Sequence, residues 1–146
     1  MTITPYKFKA RYYETDKMGI VHHSNYIRWF EEARVHCITE AGMSFAEIED
    51  MGILNPVLSC SAEYKLAFRF DDTVIVNTKI TSFNGVKLEI AYTVTDESGT
   101  VHATGTSAHC FTDMNMRPIR LQKKAPDVYR LYLDMKEALD NIVKSE

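Results

Sequence analysis

One short stretch of the sequence places a carboxylate and two histidines directly before a helical pattern. It runs Tyr13-Glu14-Thr15-Asp16-Lys17-Met18-Gly19-Ile20-Val21-His22-His23-Ser24-Asn25-Tyr26. Because no linker separates it from the helix, Asp16 is expected near a helix N-terminus, whose free N–H groups carry partial positive charge. A carboxylate that attacks or activates water, beside N–H donors for an oxyanion, suits acyl transfer. The stretch therefore predicts an acyl-transfer site at the helix start.

Asp16 also has a plainer interpretation, because aspartate beside glycine in a turn often caps its own loop. Its place before Gly19 and a helix start favours the catalytic role. Asp16 would be either a nucleophile or a general base for water, and both roles suit a carboxylate ionised at neutral pH. A metal site of Asp16, His22 and His23 is disfavoured, because adjacent histidines on an extended segment point to opposite sides.

Length and charge narrow the class of protein. The chain has 146 residues, 45% of them hydrophobic and 25% charged, which is ordinary for a single soluble domain, here taken as residues 1–146. A net charge of -3 argues against a nucleic-acid binder. No apolar run is long enough to span a bilayer, and the N-terminus lacks a signal-peptide pattern, so a cytoplasmic location is expected. Cys37, Cys60 and Cys110 are expected to be reduced core thiols.

Helical periodicity marks three segments. The first runs from an N-cap at Ser24 or Asn25 to about Ala41, with Gly42 at the position of a C′ glycine. Its apolar surface is so broad that we expect other structure to wrap around it. A capping box, Ser44 with Glu47, opens a short second helix. A last helix begins with Pro126 at its first position and carries one apolar stripe of Val128, Leu131, Tyr132, Met135, Leu139 and Ile142.

Alternation of apolar and polar residues marks five strands. They are expected over residues 6–13, 58–69, 73–83, 86–94 and 100–112, the second of them half buried. Asn84-Gly85 predicts a tight hairpin between the third and fourth. We therefore predict an α+β fold in which a curved antiparallel sheet, its last four strands a meander, wraps the long helix. Such a sheet leaves an edge strand exposed, so a homodimer that pairs edges is expected.

The stretch from Asp16 to Tyr26 resembles the signature of hotdog-fold acyl-CoA thioesterases, in particular the 4-hydroxybenzoyl-CoA thioesterase and YbgC-type branch. That pattern is Asp-x-x-Gly-[Ile/Val]-Val-x-[His/Tyr]-x-x-Tyr, after a first strand and at the start of the central helix. The element order agrees over nearly the whole chain. The resemblance implies hydrolysis of an acyl-CoA to a free acid and coenzyme A, without metal or organic cofactor. It also implies homodimers that pair into homotetramers, with active sites at the subunit interface.

The resemblance also assigns roles to residues. Asp16 falls on the family's catalytic carboxylate, and His23 on the position whose backbone N–H polarises the thioester carbonyl. Gly19, Val21 and Tyr26 are then the expected substrate-binding residues, with Tyr26 in the core and its hydroxyl towards the pocket. The basic, proline-containing stretch after the last strand, with Arg117 and Arg120, falls near the coenzyme A nucleotide. The hairpin at Asn84-Gly85 falls there too, and Lys87 is its one basic residue.

Two other functions fit the same pattern. The substrate could be an acyl group carried on an acyl-carrier protein, for which an acidic carrier would need a basic docking face. The protein could also be a non-catalytic hotdog protein that binds acyl-CoA. No nucleic acid and no membrane is expected as a partner. The acyl group itself stays open, because Met18, Met43, Met51, Tyr26 and Trp29 would line pockets of several sizes.

Overall fold

A computed structural model describes residues 1–145, with side chains through residue 142. The chain forms five strands and four helices in this part. The strands are β1 (Tyr6–Lys9), β2 (Val57–Tyr64), β3 (Thr73–Phe83), β4 (Lys87–Thr95) and β5 (Val101–Cys110). The helices are α1 (Ser24–Ala41), α2 (Phe45–Asp50), α3 (Leu121–Lys124) and α4 (Pro126–Ser145), and a 3₁₀ turn spans Tyr12–Glu14.

All five strands form one antiparallel sheet in the order β1-β3-β4-β5-β2. The predicted meander is therefore wrong for β2, which pairs with β5 and not with β3. The reason lies in the connection after β2. Phe68 within it is fully buried and stacks on His102 of β5 at 3.8 Å between ring centres, so the chain crosses the end of the sheet before β3 begins.

Helix α1 packs on one face of the sheet through its aromatic residues. The Phe30 ring stacks on Tyr92 of β4 at 4.4 Å and lies over Gly105 of β5. A Cβ at position 105 would come within 2.3 Å of the Phe30 ring, so only glycine lets the helix approach this closely. The predicted broad apolar surface is present, although one stripe of α1 stays exposed. It comprises Ser24, Arg28, Glu31, Val35 and Thr39.

The last helix, α4, buries the predicted apolar stripe. Tyr132 on this stripe contacts Phe83 and Phe111, with ring centres 5.3 and 5.2 Å apart. These contacts place α4 against the end of the sheet where the β3–β4 hairpin turns at Asn84-Gly85. The short helix α3 before it was not predicted, and its first N–H bonds to the carbonyl of Gly85.

Strand β2 forms one edge of the sheet and is exposed on both faces, so its predicted half burial is wrong. Val57 and Leu58 are 50% and 55% exposed, because α1 covers the sheet further in. Cys60 on the same strand is exposed too, unlike the predicted core thiol, whereas Cys37 is buried and burial raises the pKa of its thiol to about 11. All three cysteines are free.

Candidate active site

The loop at Asp16 is closed by its own backbone and leaves one carboxylate oxygen free. Asp16 N–H donates to the Ile20 carbonyl at 2.9 Å, and Gly19 N–H donates to the Asp16 carbonyl at 3.0 Å. Gly19 closes this turn with φ +79°, which suits glycine. Met18 N–H donates to Oδ1 of Asp16 at 2.8 Å. Oδ2 has no hydrogen-bond partner among the described residues, so it is available to a substrate or water.

The start of α1 supplies an unpaired donor. His23 is the residue before the helix, and its N–H finds no acceptor in the described part of the chain. The predicted N-caps, Ser24 and Asn25, are wrong. Nδ1 of His22 accepts the N–H of Ser24 at 3.2 Å, while the buried Asn25 side chain donates to the carbonyl of Glu14 at 2.9 Å. His22 therefore has a structural role, and His23 keeps a free donor.

Asp16 and His23 line one cavity of about 370 Å³. Its walls are mainly apolar and aromatic, and they come from two parts of the chain. The first part is the predicted stretch, with Asp16, Met18, Ile20, Val21, His23 and Tyr26; the second is Tyr64, Lys65, Leu66 and Ala67, from the end of β2 onward. The second part was missed because its alternating pattern indicated only a continuing strand. Gly19 is not among the residues that line the cavity; it closes the turn that holds Asp16 in place.

Tyr26 lies in the core and also lines this cavity, as expected. It is 3% exposed, and its ring meets Tyr64 edge to face at 5.0 Å between centres. Burial raises the pKa of Tyr26 to about 12, so its hydroxyl stays protonated at neutral pH. Its hydroxyl bonds to the backbone of Phe68. Tyr26 thus joins the helix start to the connection after β2.

The predicted nucleotide-binding residues lie at the other end of the sheet. Lys87 pairs with Cys110 at the start of β4, Arg117 lies in the loop after β5, and Arg120 borders a shallow hollow with Lys123 and Lys124. This end carries Val57, whereas the cavity adjoins Tyr64, the last residue of β2. Eight extended residues span roughly 25 Å. A single chain therefore does not bring these basic side chains close to Asp16.

No group of three or more His, Cys, Asp or Glu side chains in the described residues is arranged to hold a metal ion. None of the helices described is long and apolar enough to cross a membrane.

Comparison with known proteins identifies the family. The family model of the thioesterase-like superfamily matches residues 10–138. The chain belongs to this superfamily. It is 33% identical to a putative acyl-CoA thioesterase, YneP, of Bacillus subtilis over 133 residues, which cover 90% of this chain and 96% of the relative. It is 27% identical to the acyl-CoA thioester hydrolase YbgC of Escherichia coli over 84% of this chain and 94% of that one.

A solved structure of a DHNA-CoA thioesterase from Staphylococcus aureus shares the architecture. The TM-score is 0.86 at 33% identity, over 97% of this chain and 95% of that chain. The predicted α+β hotdog fold is thereby confirmed, as are the predicted family and the predicted class of thioester hydrolase. The family match over residues 10–138 includes every residue that lines the cavity.

Proposed function

We propose that Asp16 and the N–H of His23 catalyse hydrolysis of a small or medium acyl-CoA, aliphatic or aromatic. The observation that carries this proposal is that a carboxylate with one free oxygen and an unpaired backbone N–H line the same cavity. The N–H and the helix start would hold the thioester oxygen, whose negative charge grows as the carbonyl carbon is attacked.

The reaction can follow either of two routes from this geometry. Oδ2 of Asp16 attacks the carbonyl carbon and coenzyme A leaves as a thiolate. Water then hydrolyses the mixed anhydride, which frees Asp16 and releases the proton that the thiolate takes up. Alternatively, Asp16 takes a proton from a water that attacks the carbon directly. In both routes the C–S bond breaks, a C–O bond forms and the products are a free acid and coenzyme A. Neither route needs a metal or an organic cofactor.

The acyl group would lie in the cavity against apolar and aromatic side chains. Ile20, Leu66 and the Tyr64 ring supply such walls. Support for an aromatic acyl group comes from the likeness to the DHNA-CoA thioesterase. The Val21 and Tyr26 assignments to substrate binding fit this placement, because both line the cavity.

A homodimer would complete the site. The exposed edge at β2 offers unpaired backbone groups and apolar side chains, which a second copy would cover. If two β2 edges pair antiparallel, the Val57 end of one chain lies beside the Tyr64 end of its partner. Arg117, Arg120 and Lys87 would then lie near the other chain's cavity, where they can bind the phosphates of coenzyme A. Pairing of dimers into a tetramer and a cytoplasmic location stay predictions.

The experiment is a panel of aliphatic and aromatic acyl-CoA esters, assayed by release of free thiol. The decisive variant is Asp16→Asn, because the asparagine oxygen can still accept the Met18 N–H and so keeps the loop closed. We expect a loss of kcat on the order of 100-fold or more. Asp50→Asn, an exposed change on α2, is the matched control and should keep wild-type activity.

Three results would contradict the proposal. Full activity of Asp16→Asn would remove Asp16 from the mechanism. Binding of acyl-CoA without turnover by the wild type would indicate a ligand-binding protein. Faster hydrolysis of a matched acyl-carrier-protein thioester than of the acyl-CoA would indicate that the substrate is carried on the acyl-carrier protein.

A further inference from the structure

The residue two positions before Asp16 is a buried carboxylate. Glu14 is 3% exposed, and each of its carboxylate oxygens accepts a hydrogen bond. Oε2 accepts the indole N–H of Trp29 at 2.7 Å, and Oε1 accepts the backbone N–H of Arg11 at 2.8 Å. The Arg11 guanidinium adds a contact of 3.3 Å to Oε2. A buried carboxylate is costly unless paired and hydrogen-bonded, and Glu14 is both.

The donor on Trp29 is itself fixed in place. The indole is fully buried in α1, and aromatic rings pack against it from three sides. These rings belong to Phe8, Tyr26 and Phe68, with centre distances of 5.1, 4.7 and 5.9 Å. The Glu14 carboxylate is therefore anchored to α1 by a donor that is packed in the core.

The backbone of Glu14 connects this anchor to both parts of the candidate site. Its carbonyl accepts the N–H of His22 at 2.9 Å and the side-chain N–H of Asn25 at 2.9 Å. His22 directly precedes the unpaired N–H of His23, and Thr15 alone separates Glu14 from Asp16. A shift of Glu14 would therefore move the carboxylate and the oxyanion donor relative to each other.

We infer that Glu14, held by Trp29, is a positioning residue for the hydrolysis. It fixes the Asp16 carboxylate relative to the His23 N–H without touching substrate. This inference rests on the proposed function. It assigns Glu14 a kinetic role, which a carboxylate that merely stabilises the fold would not have.

The first test is Glu14→Gln. Glutamine carries one oxygen and one NH₂ group, so either orientation points the NH₂ at the indole N–H or at the Arg11 N–H. In either orientation the side chain loses one hydrogen bond, and its NH₂ group faces another N–H donor. We expect kcat to fall by about 10- to 100-fold with KM within about twofold of wild type, as misplacement of reacting groups does.

The matched control is Glu32→Gln. Glu32 also accepts from Arg11, at 3.3 Å, and from the Tyr6 hydroxyl at 2.7 Å, but it has no bond to Trp29 and its side chain is 38% exposed. The change removes the same charge beside the same guanidinium. It should leave kcat at the wild-type value. A loss of kcat in Glu32→Gln equal to that in Glu14→Gln would assign the effect to charge and overturn the inference.

A second variant removes the donor of the hydrogen bond between Trp29 and Glu14. Trp29→Phe keeps an aromatic ring but removes the donor to Glu14, and we expect a comparable loss of kcat at similar KM. If the bond is the cause, the double variant is no slower than the slower single variant. Multiplying losses in the double variant would overturn the inference. If Glu14→Gln does not fold, the kcat of Trp29→Phe is compared with that of Glu32→Gln, and the same two outcomes decide the inference.

A spectroscopic measurement accompanies the kinetics. Trp29 is the one tryptophan in the sequence, so its fluorescence reports the indole environment without interference. Its emission maximum should shift in Glu14→Gln and not in Glu32→Gln. An active wild type with unchanged kcat in Glu14→Gln overturns the positioning role alone, whereas an inactive wild type overturns the proposed function as well.

Discussion

The hydroxyl of Tyr64 donates a hydrogen bond to the carbonyl of His23, with 3.2 Å between the oxygens. This bond ties the end of the edge strand β2 to the residue whose N–H is the proposed oxyanion donor. The Tyr64 ring also packs on Tyr26, so β2, the start of α1 and the cavity wall meet at one side chain. A substitution at Tyr64 on the edge strand can therefore alter the position of the His23 N–H directly.

Tyr64→Phe removes this bond and keeps the ring. The His23 carbonyl still accepts the N–H of Tyr26, so it is not left unpaired. We expect the free energy of unfolding to fall by only about 0.5 kcal/mol, with a several-fold loss of kcat. Chemical denaturation and thiol-release kinetics measure the two effects. Tyr13→Phe, on a side chain 80% exposed, is the control, and equal losses of kcat in both variants would contradict the prediction.

The proposed dimer predicts complementation between two defective chains. Asp16→Asn lacks the carboxylate, while an Arg117→Gln and Arg120→Gln chain is expected to show a KM raised on the order of tenfold through lost phosphate contacts. If each site uses Asp16 of one chain and the arginines of the other, mixed dimers contain one intact site. Refolding equal amounts together should restore about a quarter of the wild-type sites. Absence of any recovery would place all three residues in one chain's site.

The edge strand also predicts the oligomeric state. Leu58→Lys adds a charge to an exposed apolar position of β2, and edge charges oppose strand pairing. We expect the wild type to sediment as a dimer or larger, and this variant to shift towards the 16.8 kDa monomer and lose activity. Val35→Lys makes the same kind of change on the exposed stripe of α1. A monomer from Val35→Lys and an intact dimer from Leu58→Lys would move the interface to the helix.

The buried His109 predicts a pH dependence of stability. Burial, reinforced by the nearby Arg34 charge, lowers the pKa of His109 to about 4. The unfolded chain takes up this proton near the ordinary histidine pKa of about 6.5, so between these values it binds more protons than the native state. Stability therefore rises with pH across this window and is lost on acidification.

From pH 7 to pH 5 this group should lower the free energy of unfolding by roughly 1–2 kcal/mol. His109→Gln, which can still bond to the Ser107 hydroxyl now 2.7 Å from the ring, should lose less over the same range. Urea denaturation at both pH values measures the difference. Identical pH dependence in the two proteins would contradict the prediction.

Much of the local structure follows from the sequence alone. The end of α1 at Ala41, the Asn84-Gly85 hairpin, the strand at 73–83 and the buried stripe of α4 are confirmed, because side-chain periodicity and turn chemistry are properties of neighbouring residues. The stretch from Asp16 to Tyr26 also predicts the cavity's first wall. Its members are close along the chain, so a loop and a helix start suffice to bring them together.

Only the tertiary structure decided the features that join distant residues. The position of β2 beside β5 depends on the burial of Phe68 against His102, and no local pattern reports that contact. The second wall of the cavity, at Tyr64, follows from the same placement. The bond from Trp29 to Glu14 arises because packing on the sheet fixes the indole next to a loop 15 residues earlier. Periodicity indicates which side chains are buried, whereas the partner of each buried group is settled by packing.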